Sequence, residues 1–217
     1  FQFFESNLPK KPYCTNNLSA GLRIRSAKSA VNHKYIQPNN PNSKLWLLYD
    51  IDRAIGLETI SDDLNLPTPT IFVQNPKNNH AHLFYALHKP VHMNTNSSVK
   101  AQRFAGAVDV AMTNALSADS SYVGLIAKNP MHEAWRTYSF GSLAYDLEDF
   151  ADFVDLTAAN DRRTNIEAIG LGRNVALFDK VRYWAYKAIR QGWQKDFERW
   201  HNAVVERASG INLQFEA

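Results

Sequence analysis

Two carboxylates lie one residue apart at the end of an apolar segment. Residues 45–49 read Leu-Trp-Leu-Leu-Tyr, a run typical of a buried strand, and Asp50 and Asp52 follow it. Side chains at positions i and i+2 of a strand point to the same side, with Cα atoms about 6.5 Å apart. Carboxylates this close repel each other unless a cation lies between them, and Mg²⁺ prefers oxygen ligands. The pair predicts a metal site at the rim of the core, although Asp residues at strand ends also cap turns.

Two histidines and three later polar residues complete the set that could do chemistry. His80 and His82 fall on one side of a second strand by the same period of two. A neutral imidazole can bind a metal and a charged one can bind phosphate, but a polar face of an edge strand explains the pattern equally well. Asp119, Lys128 and Arg136 are each typical of a turn or a solvated surface when taken alone. The sequence indicates a functional role for these three residues only when they are considered together with Asp50 and Asp52.

The elements needed to position these residues are strands joined by turns, together with one helix. Apolar, β-branched and aromatic runs predict strands at residues 45–52, 70–74, 80–87, 122–127 and 136–141. A tight turn over 75–79 makes a hairpin of the second and third strands. Apolar residues at helical intervals predict a helix over 98–117.

The character of the chain changes to helical after about residue 155. Asn174 is placed to cap one helix, Gly192 interrupts the pattern, and Phe197 and Trp200 belong to a stripe that continues beyond it. We therefore expect two domains, a larger one over residues 1–158 and a small helical module over residues 159–217.

Composition bounds the class of protein. Of the 217 residues, 45% are apolar, enough for one large domain or a domain with a small appendage. No apolar run approaches the roughly 20 residues that span a bilayer, so we expect no membrane segment. The lone Cys14 excludes an internal disulfide and favours a reducing, intracellular setting. Because the chain begins at Phe1 without a signal pattern, we expect a piece of a longer protein.

Charge is distributed unevenly along the chain. Residues 1–36 carry a net charge of +5, residues 37–159 a net charge of −5, and residues 160–217 a net charge of +3. A basic arm and a basic tail around an acidic middle suit a polyanion bound over a metal centre. Solvated protein faces explain such segments equally well, so charge supports nucleic acid binding without establishing it.

The order of these motifs resembles that of the archaeo-eukaryotic primase superfamily. Its members carry a strand ending in Asp-x-Asp or Asp-x-Glu, a Ser-x-His-type motif and a later acidic residue. More narrowly, residues 78–87 (Asn-Asn-His-Ala-His-Leu-Phe-Tyr-Ala-Leu) and 118–130 (Ala-Asp-Ser-Ser-Tyr-Val-Gly-Leu-Ile-Ala-Lys-Asn-Pro) resemble the plasmid replicases, or Rep initiator proteins. Residues 172–179 and 182–186 are similar to the primase C-terminal module of those proteins. The likeness covers roughly residues 40–200.

The resemblance implies a fold and an activity. The fold would be α+β, with a primase-type catalytic domain built on a mixed or antiparallel RRM-like sheet flanked by helices, followed by the small all-α module. The activity would be that of a plasmid replication initiator with primase activity, a nucleotidyltransferase that makes a short primer on a DNA template. Two divalent ions, Mg²⁺ or Mn²⁺, would serve as cofactors.

The resemblance also implies residue roles. Asp50, Asp52 and Asp119 would hold the divalent ions and form the catalytic acidic set. His82 matches the histidine of the second motif and would contact the incoming nucleotide triphosphate. His80 stands where the superfamily often has a small hydroxyl residue, which leaves its nucleotide-binding role less defined. The further phosphate contacts are Lys128 and Arg136.

Partners and setting follow from the same resemblance. The expected ligands are origin DNA, single-stranded template DNA and nucleoside or deoxynucleoside triphosphates, with a host DNA polymerase as a further partner. We expect a monomer in the cytoplasm. Plasmid initiators of this kind carry an origin-binding region after the primase module, and we expect this chain to stop before it.

Two other functions use the same residues differently. His80-Ala81-His82 also matches the His-hydrophobic-His metal motif of rolling-circle initiators, which cut DNA through a tyrosine such as Tyr183 or Tyr186. That mechanism has no need of three carboxylates. The second alternative is a non-catalytic origin-binding module, for which the basic arm and the helical tail would suffice.

Overall fold

The computed structural model describes residues 1–93, 97–157, 181–182, 184–186, 188–189 and 196–213. Spatial clustering divides the chain into two compact units, Phe1–Asn165 and Ile166–Ala217. The predicted boundary after residue 158 lies outside the described residues and stays a prediction.

The first unit contains both helices and strands. In chain order its elements are α1 (Gln2–Ser6), β1 (Tyr13–Thr15), β2 (Arg23–Ile24), α2 (Ala27–Ala30), β3 (Tyr35–Ile36), β4 (Ser43–Ile51), β5 (Ile71–Gln74), β6 (Ala81–His92), α3 (Val99–Leu116), β7 (Ala127–Lys128) and β8 (Arg136–Ser139). Short 3₁₀ helices lie at Leu18–Ala20 and Leu147–Asp152, and a π-helical turn lies at Thr59–Asp63.

The main sheet has four antiparallel strands in the order β4-β6-β5-β8. Side chains of a strand alternate between the two faces of a sheet. Leu47, Tyr49 and Ile51 therefore share one face and pack in a core cluster with α3. Trp46 and Leu48 pack in a second cluster on the opposite face. Because this sheet is buried on both faces, β4 reads as a continuous apolar run.

A smaller antiparallel sheet, in the order β2-β1-β3-β7, covers the second face. It contributes Cys14, Ile36 and Ala127 to the second cluster. Phe4 of α1 packs edge to face on Phe84, with ring centroids 5.9 Å apart. The predicted α+β class and the antiparallel sheet are confirmed. Besides the small sheet, α1 and α2 contribute Phe4 and Ala30 to the cluster on this face.

Most of the predicted strands are confirmed, and one is largely wrong. Of the strand predicted over 122–127, only Ala127 pairs, as part of β7. The rest is irregular, with a bend over residues 124–126, because Gly124 adopts a positive φ of 66° and the Tyr122 hydroxyl donates a hydrogen bond to the carbonyl of Ile126 at 2.8 Å. The helix predicted over 98–117 is observed as α3, whose first turn is capped by the Ser98 side chain.

The second unit contains the helix Phe197–Leu213, in the region predicted to be helical. Residues 181–182 and 184–186 are also helical. The predicted cap at Asn174 and the break at Gly192 lie outside the described residues. In the part of the chain that the structure describes, no helix is both long and apolar enough to cross a membrane.

Candidate functional site

Three carboxylates far apart in the sequence converge at one end of the main sheet. Ligand oxygens of Asp50, Asp52 and Asp119 all lie within 4.8 Å of one another. Asp50 is the next-to-last residue of β4, and Asp52 comes directly after the strand. Asp119 lies in the loop after α3, where its backbone N–H donates a 2.8 Å hydrogen bond to the carbonyl of Asp50. Such an all-oxygen donor set is suited to a hard divalent cation.

The loop that carries Asp119 is fixed by hydrogen bonds at the end of α3. Ser117 adopts a left-handed conformation that ends the helix. The Arg53 guanidinium donates hydrogen bonds to the carbonyls of Leu116 and Ser117 at 2.8 and 2.9 Å. The backbone N–H and the hydroxyl of Ser121 donate to Oδ1 of Asp119 at 2.8 and 2.7 Å. The position of the Asp119 carboxylate is therefore set before any ligand binds.

His82 lies directly opposite Asp50 in the β4–β6 pairing. Its Nε2 is 3.1 Å from Oδ1 of Asp50, and its side chain is only 6% exposed. On the other side of the ring, the backbone N–H of Lys128 and the hydroxyl of Tyr122 each lie 3.3 Å from Nδ1. A backbone N–H can only donate, so Nδ1 acts as the acceptor and the ring proton resides on Nε2, facing Asp50.

Burial lowers the pKa of His82, and the nearby Lys128 charge lowers it further, while Asp50 opposes both effects. The imidazole is therefore held neutral. The structure places His82 against Asp50, where it supports the carboxylate. The nucleotide contact predicted for His82 stays a prediction.

Lys128 brings a cation into the same group. Its Nζ lies 3.6 Å from Oδ1 of Asp50, and its side chain is 9% exposed. Burial lowers the pKa of Lys128, which Asp50 and Asp52 oppose. Burial alone would raise the pKa of Asp50, but His82 and Lys128 outweigh it and lower that pKa. The Asp50 carboxylate is therefore kept ionised, as a metal ligand requires.

Both His82 and Lys128 contact one buried oxygen of this group. Oδ1 of Asp50 has Nε2 of His82 at 3.1 Å and Nζ of Lys128 at 3.6 Å, and among the described residues neither contact has the geometry of a regular hydrogen bond. A buried carboxylate oxygen needs hydrogen bonds or a cation to offset the loss of water. The residues present therefore fit a divalent ion, which would satisfy this oxygen.

His80 and Arg136 are placed differently from the acidic group. His80 is partly exposed, with Nδ1 3.6 Å from Oδ1 of Asp52, so it lies at the rim. Arg136 of β8 pairs with Gln74 of β5 and donates a hydrogen bond to the side-chain oxygen of Gln74 at 3.3 Å. Arg136 is one residue away from the β8 position that lies level with Asp50 and His82 across the sheet. Its side chain therefore projects from the other face of the sheet.

Three residues near the carboxylates were not singled out from the sequence. Tyr122 packs edge to face on His82, with ring centroids 5.1 Å apart. Arg53 holds the end of α3, and Tyr35 pairs with Lys128 across the β3–β7 ladder. Arg53 follows the acidic pair directly in the sequence and Tyr122 comes three residues after Asp119, which are the only signals the sequence offers for them.

The His82 environment predicts how stability depends on pH in metal-free protein. Because the pKa of His82 is lowered in the folded state, the unfolded chain takes up a proton first as pH falls below about 6.5. We expect the free energy of unfolding to decrease between pH 7 and pH 5 in EDTA. In His82→Gln this dependence should flatten, as measured by urea unfolding at several pH values. The exposed residue His92 provides the control, since His92→Gln should keep the wild-type slope; equal slopes in all three proteins would contradict the prediction.

Comparison with known proteins gives two findings. The family model described as the Replicase family matches residues 7–154. Among solved structures, the AEP domain of the cyanophage S-2L primase-polymerase (PrimPol) is similar to this chain at 10% sequence identity and a TM-score of 0.46, over 67% of this chain and 88% of that one. No curated protein matches.

Proposed function

Because the chain belongs to the Replicase family, we propose that it is a primase that begins DNA synthesis by metal-dependent nucleotidyl transfer on a single-stranded template. The observation that carries this proposal is the convergence of Asp50, Asp52 and Asp119, whose ligand oxygens lie within 4.8 Å of one another. The resemblance of residues 78–87 and 118–130 to plasmid replicases supports the finer proposal of a plasmid replication initiator.

In this mechanism, Asp50, Asp52 and Asp119 would hold Mg²⁺ or Mn²⁺. Divalent ions held there would supply positive charge to stabilise the oxygens that gain negative charge when a 3′-hydroxyl attacks the α-phosphate of a nucleotide and pyrophosphate leaves. No side-chain nucleophile is needed, which agrees with a group made of acids and bases.

The other residues of the group support the carboxylates and the phosphates. His82, neutral and buried, directs its Nε2 proton at Asp50 and so fixes the rotamer of that carboxylate. Lys128 supplies a positive charge beside Asp50. The same charge would stabilise the negative phosphates of an incoming triphosphate. Of the two remaining proposed phosphate contacts, His80 lies at the rim and is favoured over Arg136, which contacts Gln74.

The test is a primer-synthesis assay. The protein is incubated with a single-stranded DNA template and labelled ribo- or deoxynucleoside triphosphates, with Mg²⁺, Mn²⁺ or EDTA, and products are resolved on a denaturing gel. We expect template-dependent products with either metal and none with EDTA. A covalent 5′-phosphotyrosyl adduct that disappears in Tyr186→Phe or Tyr183→Phe would overturn the proposal in favour of a nickase. DNA binding without synthesis under any metal would favour an origin-binding module.

A further inference from the structure

The outer face of the small sheet carries a row of residues that leads to the carboxylates. Cys14, Ile36 and Ala127 face the core. By the alternation along each strand and the pairing between strands, the opposite face presents Tyr13 beside Ile24 and, two residues farther along β1, Thr15 beside Tyr35 and Lys128. We define Tyr13, Ile24, Tyr35 and Lys128 as the outer row.

The outer row begins with exposed apolar surface and ends at the acidic group. Tyr13 is 36% exposed and Ile24 is 51% exposed. Tyr35 is half-buried and packs edge to face on Trp135, with ring centroids 5.4 Å apart. Lys128 closes the row, 3.6 Å from Oδ1 of Asp50. Three strand spacings of about 4.8 Å separate β2 from β7, and Tyr13 lies two residues along β1 from the partner of Tyr35, so the row crosses the sheet diagonally over about 16 Å.

Exposed cations border the start of this row at the edge of the sheet, where Arg23 pairs with Cys14 and so projects from the face opposite Ile24. Residues 1–36 contain six basic side chains and one acidic side chain, Glu5, and all six basic residues are exposed. Backbone hydrogen bonds bring the segments that carry them together, from Arg25 to Pro12 at 3.3 Å and from Ala27 to Lys10 at 3.1 Å. Across the described part of the chain, no carboxylate lies within 4.0 Å of these cations. We call five of them the basic edge: Lys10, Lys11, Arg23, Arg25 and Lys28.

We propose that the outer row and the basic edge together bind single-stranded nucleic acid and lead the template strand to the carboxylates. Proteins that bind single strands combine a positively charged track for the phosphates with aromatic side chains on which bases stack. The basic edge supplies the first component, and Tyr13 and Tyr35 supply the second. A duplex offers its phosphates but keeps its bases stacked inside, so the exposed Tyr13 ring favours an unpaired strand. The role of this strand as template rests on the proposed function, whereas the binding itself does not.

The test measures binding by fluorescence anisotropy of a labelled oligo-dT, with EDTA present and nucleotides absent. Each phosphate contact contributes about 0.7 to the slope of log K against log salt for a single strand. We expect the double variant Arg23→Gln/Arg25→Gln to bind about tenfold more weakly near 0.1 M salt and to lower this slope by about 1.4. Tyr13→Ala should bind roughly five- to tenfold more weakly without a change of slope, while Tyr13→Phe should keep wild-type affinity.

A matched control comes from exposed lysines elsewhere in the same unit. Lys89 and Lys100 are exposed near the far end of β6 and the start of α3. Lys89 lies seven residues beyond His82, about 23 Å along the strand. Lys89→Gln/Lys100→Gln removes the same charge and should bind oligo-dT like the wild type. Circular dichroism checks that every variant is folded.

Three results would overturn the proposal. One is an affinity of the folded basic-edge variant equal to that of the wild type, and another is an equal loss in the control variant. The third is a competing duplex of the same length that binds as tightly as oligo-dT and loses the same affinity in Tyr13→Ala, which would indicate a general phosphate surface. Because neither metal nor nucleotide is present, failure here leaves the primer-synthesis test intact, and failure of primer synthesis leaves this binding result intact.

Discussion

Asp50→Asn should reduce metal-dependent nucleotide incorporation by about a thousandfold. The substitution removes a full negative charge from the buried centre of the acidic group and replaces it with an isosteric amide. Stabilisation by a bound metal ion is worth several kcal/mol in the transition state, and each 1.36 kcal/mol corresponds to a factor of ten in rate. The measurement is the initial rate of labelled nucleotide incorporation at fixed Mn²⁺, with protein of verified fold.

Two further variants separate chemistry from structure. Asp52 is 67% exposed in its side chain, so Asp52→Asn should abolish synthesis while leaving affinity for oligo-dT near that of the wild type. Asp63 is exposed on the π-helical turn, and Asp63→Asn should keep full activity. If Asp50→Asn retained more than a tenth of the wild-type rate, the carboxylates would not hold the reactive metal. If Asp52→Asn lost DNA affinity as well, that carboxylate would be structural.

The main sheet could be predicted because its strands are long enough to show a pattern. The nine residues of β4 give an unambiguous apolar run, and the period of two sets Asp50 and Asp52 on one side. The same arithmetic applied to β6 put His82 on a definite face, and the observed register brings it opposite Asp50. Convergence of Asp119 with them could be expected only from the resemblance, because the contact depends on the turn after α3.

The small sheet could not be predicted from the sequence. β2, β3 and β7 have two residues each, which is too short for any periodicity. The sequence therefore carries no signal for the burial of His82 beneath β7, and the nucleotide contact of His82 stays a prediction. The face that Arg136 occupies depends on the register of β8, since a shift of one residue along a strand moves a side chain to the other face of the sheet.

The strand predicted over residues 122–127 failed for a local reason. Its apolar residues alternate in exposure as a strand would require, with Val123 and Leu125 exposed. The positive φ of Gly124 turns the chain so that the Tyr122 hydroxyl reaches the carbonyl of Ile126. This turn also brings Tyr122 against His82, so the conformation that defeats the sequence pattern is the one that closes the polar group around Asp50.

Mn²⁺ should raise the midpoint of thermal unfolding, and Asp119→Asn should remove most of that rise. An ion that binds only the folded state at a hundred times its Kd stabilises the protein by about 2.7 kcal/mol. For a chain of this size, each kcal/mol corresponds to about 2–4 °C, so we expect a rise of roughly 5–10 °C in the wild type. Asn retains the acceptor that Ser121 uses but loses the charge. The measurement is differential scanning calorimetry in Mn²⁺ and in EDTA.

In the absence of metal, we expect Asp119→Asn to raise the midpoint of thermal unfolding. Without a cation, three carboxylates within 4.8 Å repel one another, and removing one charge should stabilise the apoprotein. Since Asp52 is largely exposed, solvent screening keeps this gain below about 1 kcal/mol. Asp63→Asn is the control and should leave both midpoints at wild-type values. A metal-induced rise that persists in Asp119→Asn, or an apoprotein that the substitution clearly destabilises, would mean that Asp119 holds its loop in place and does not bind the ion.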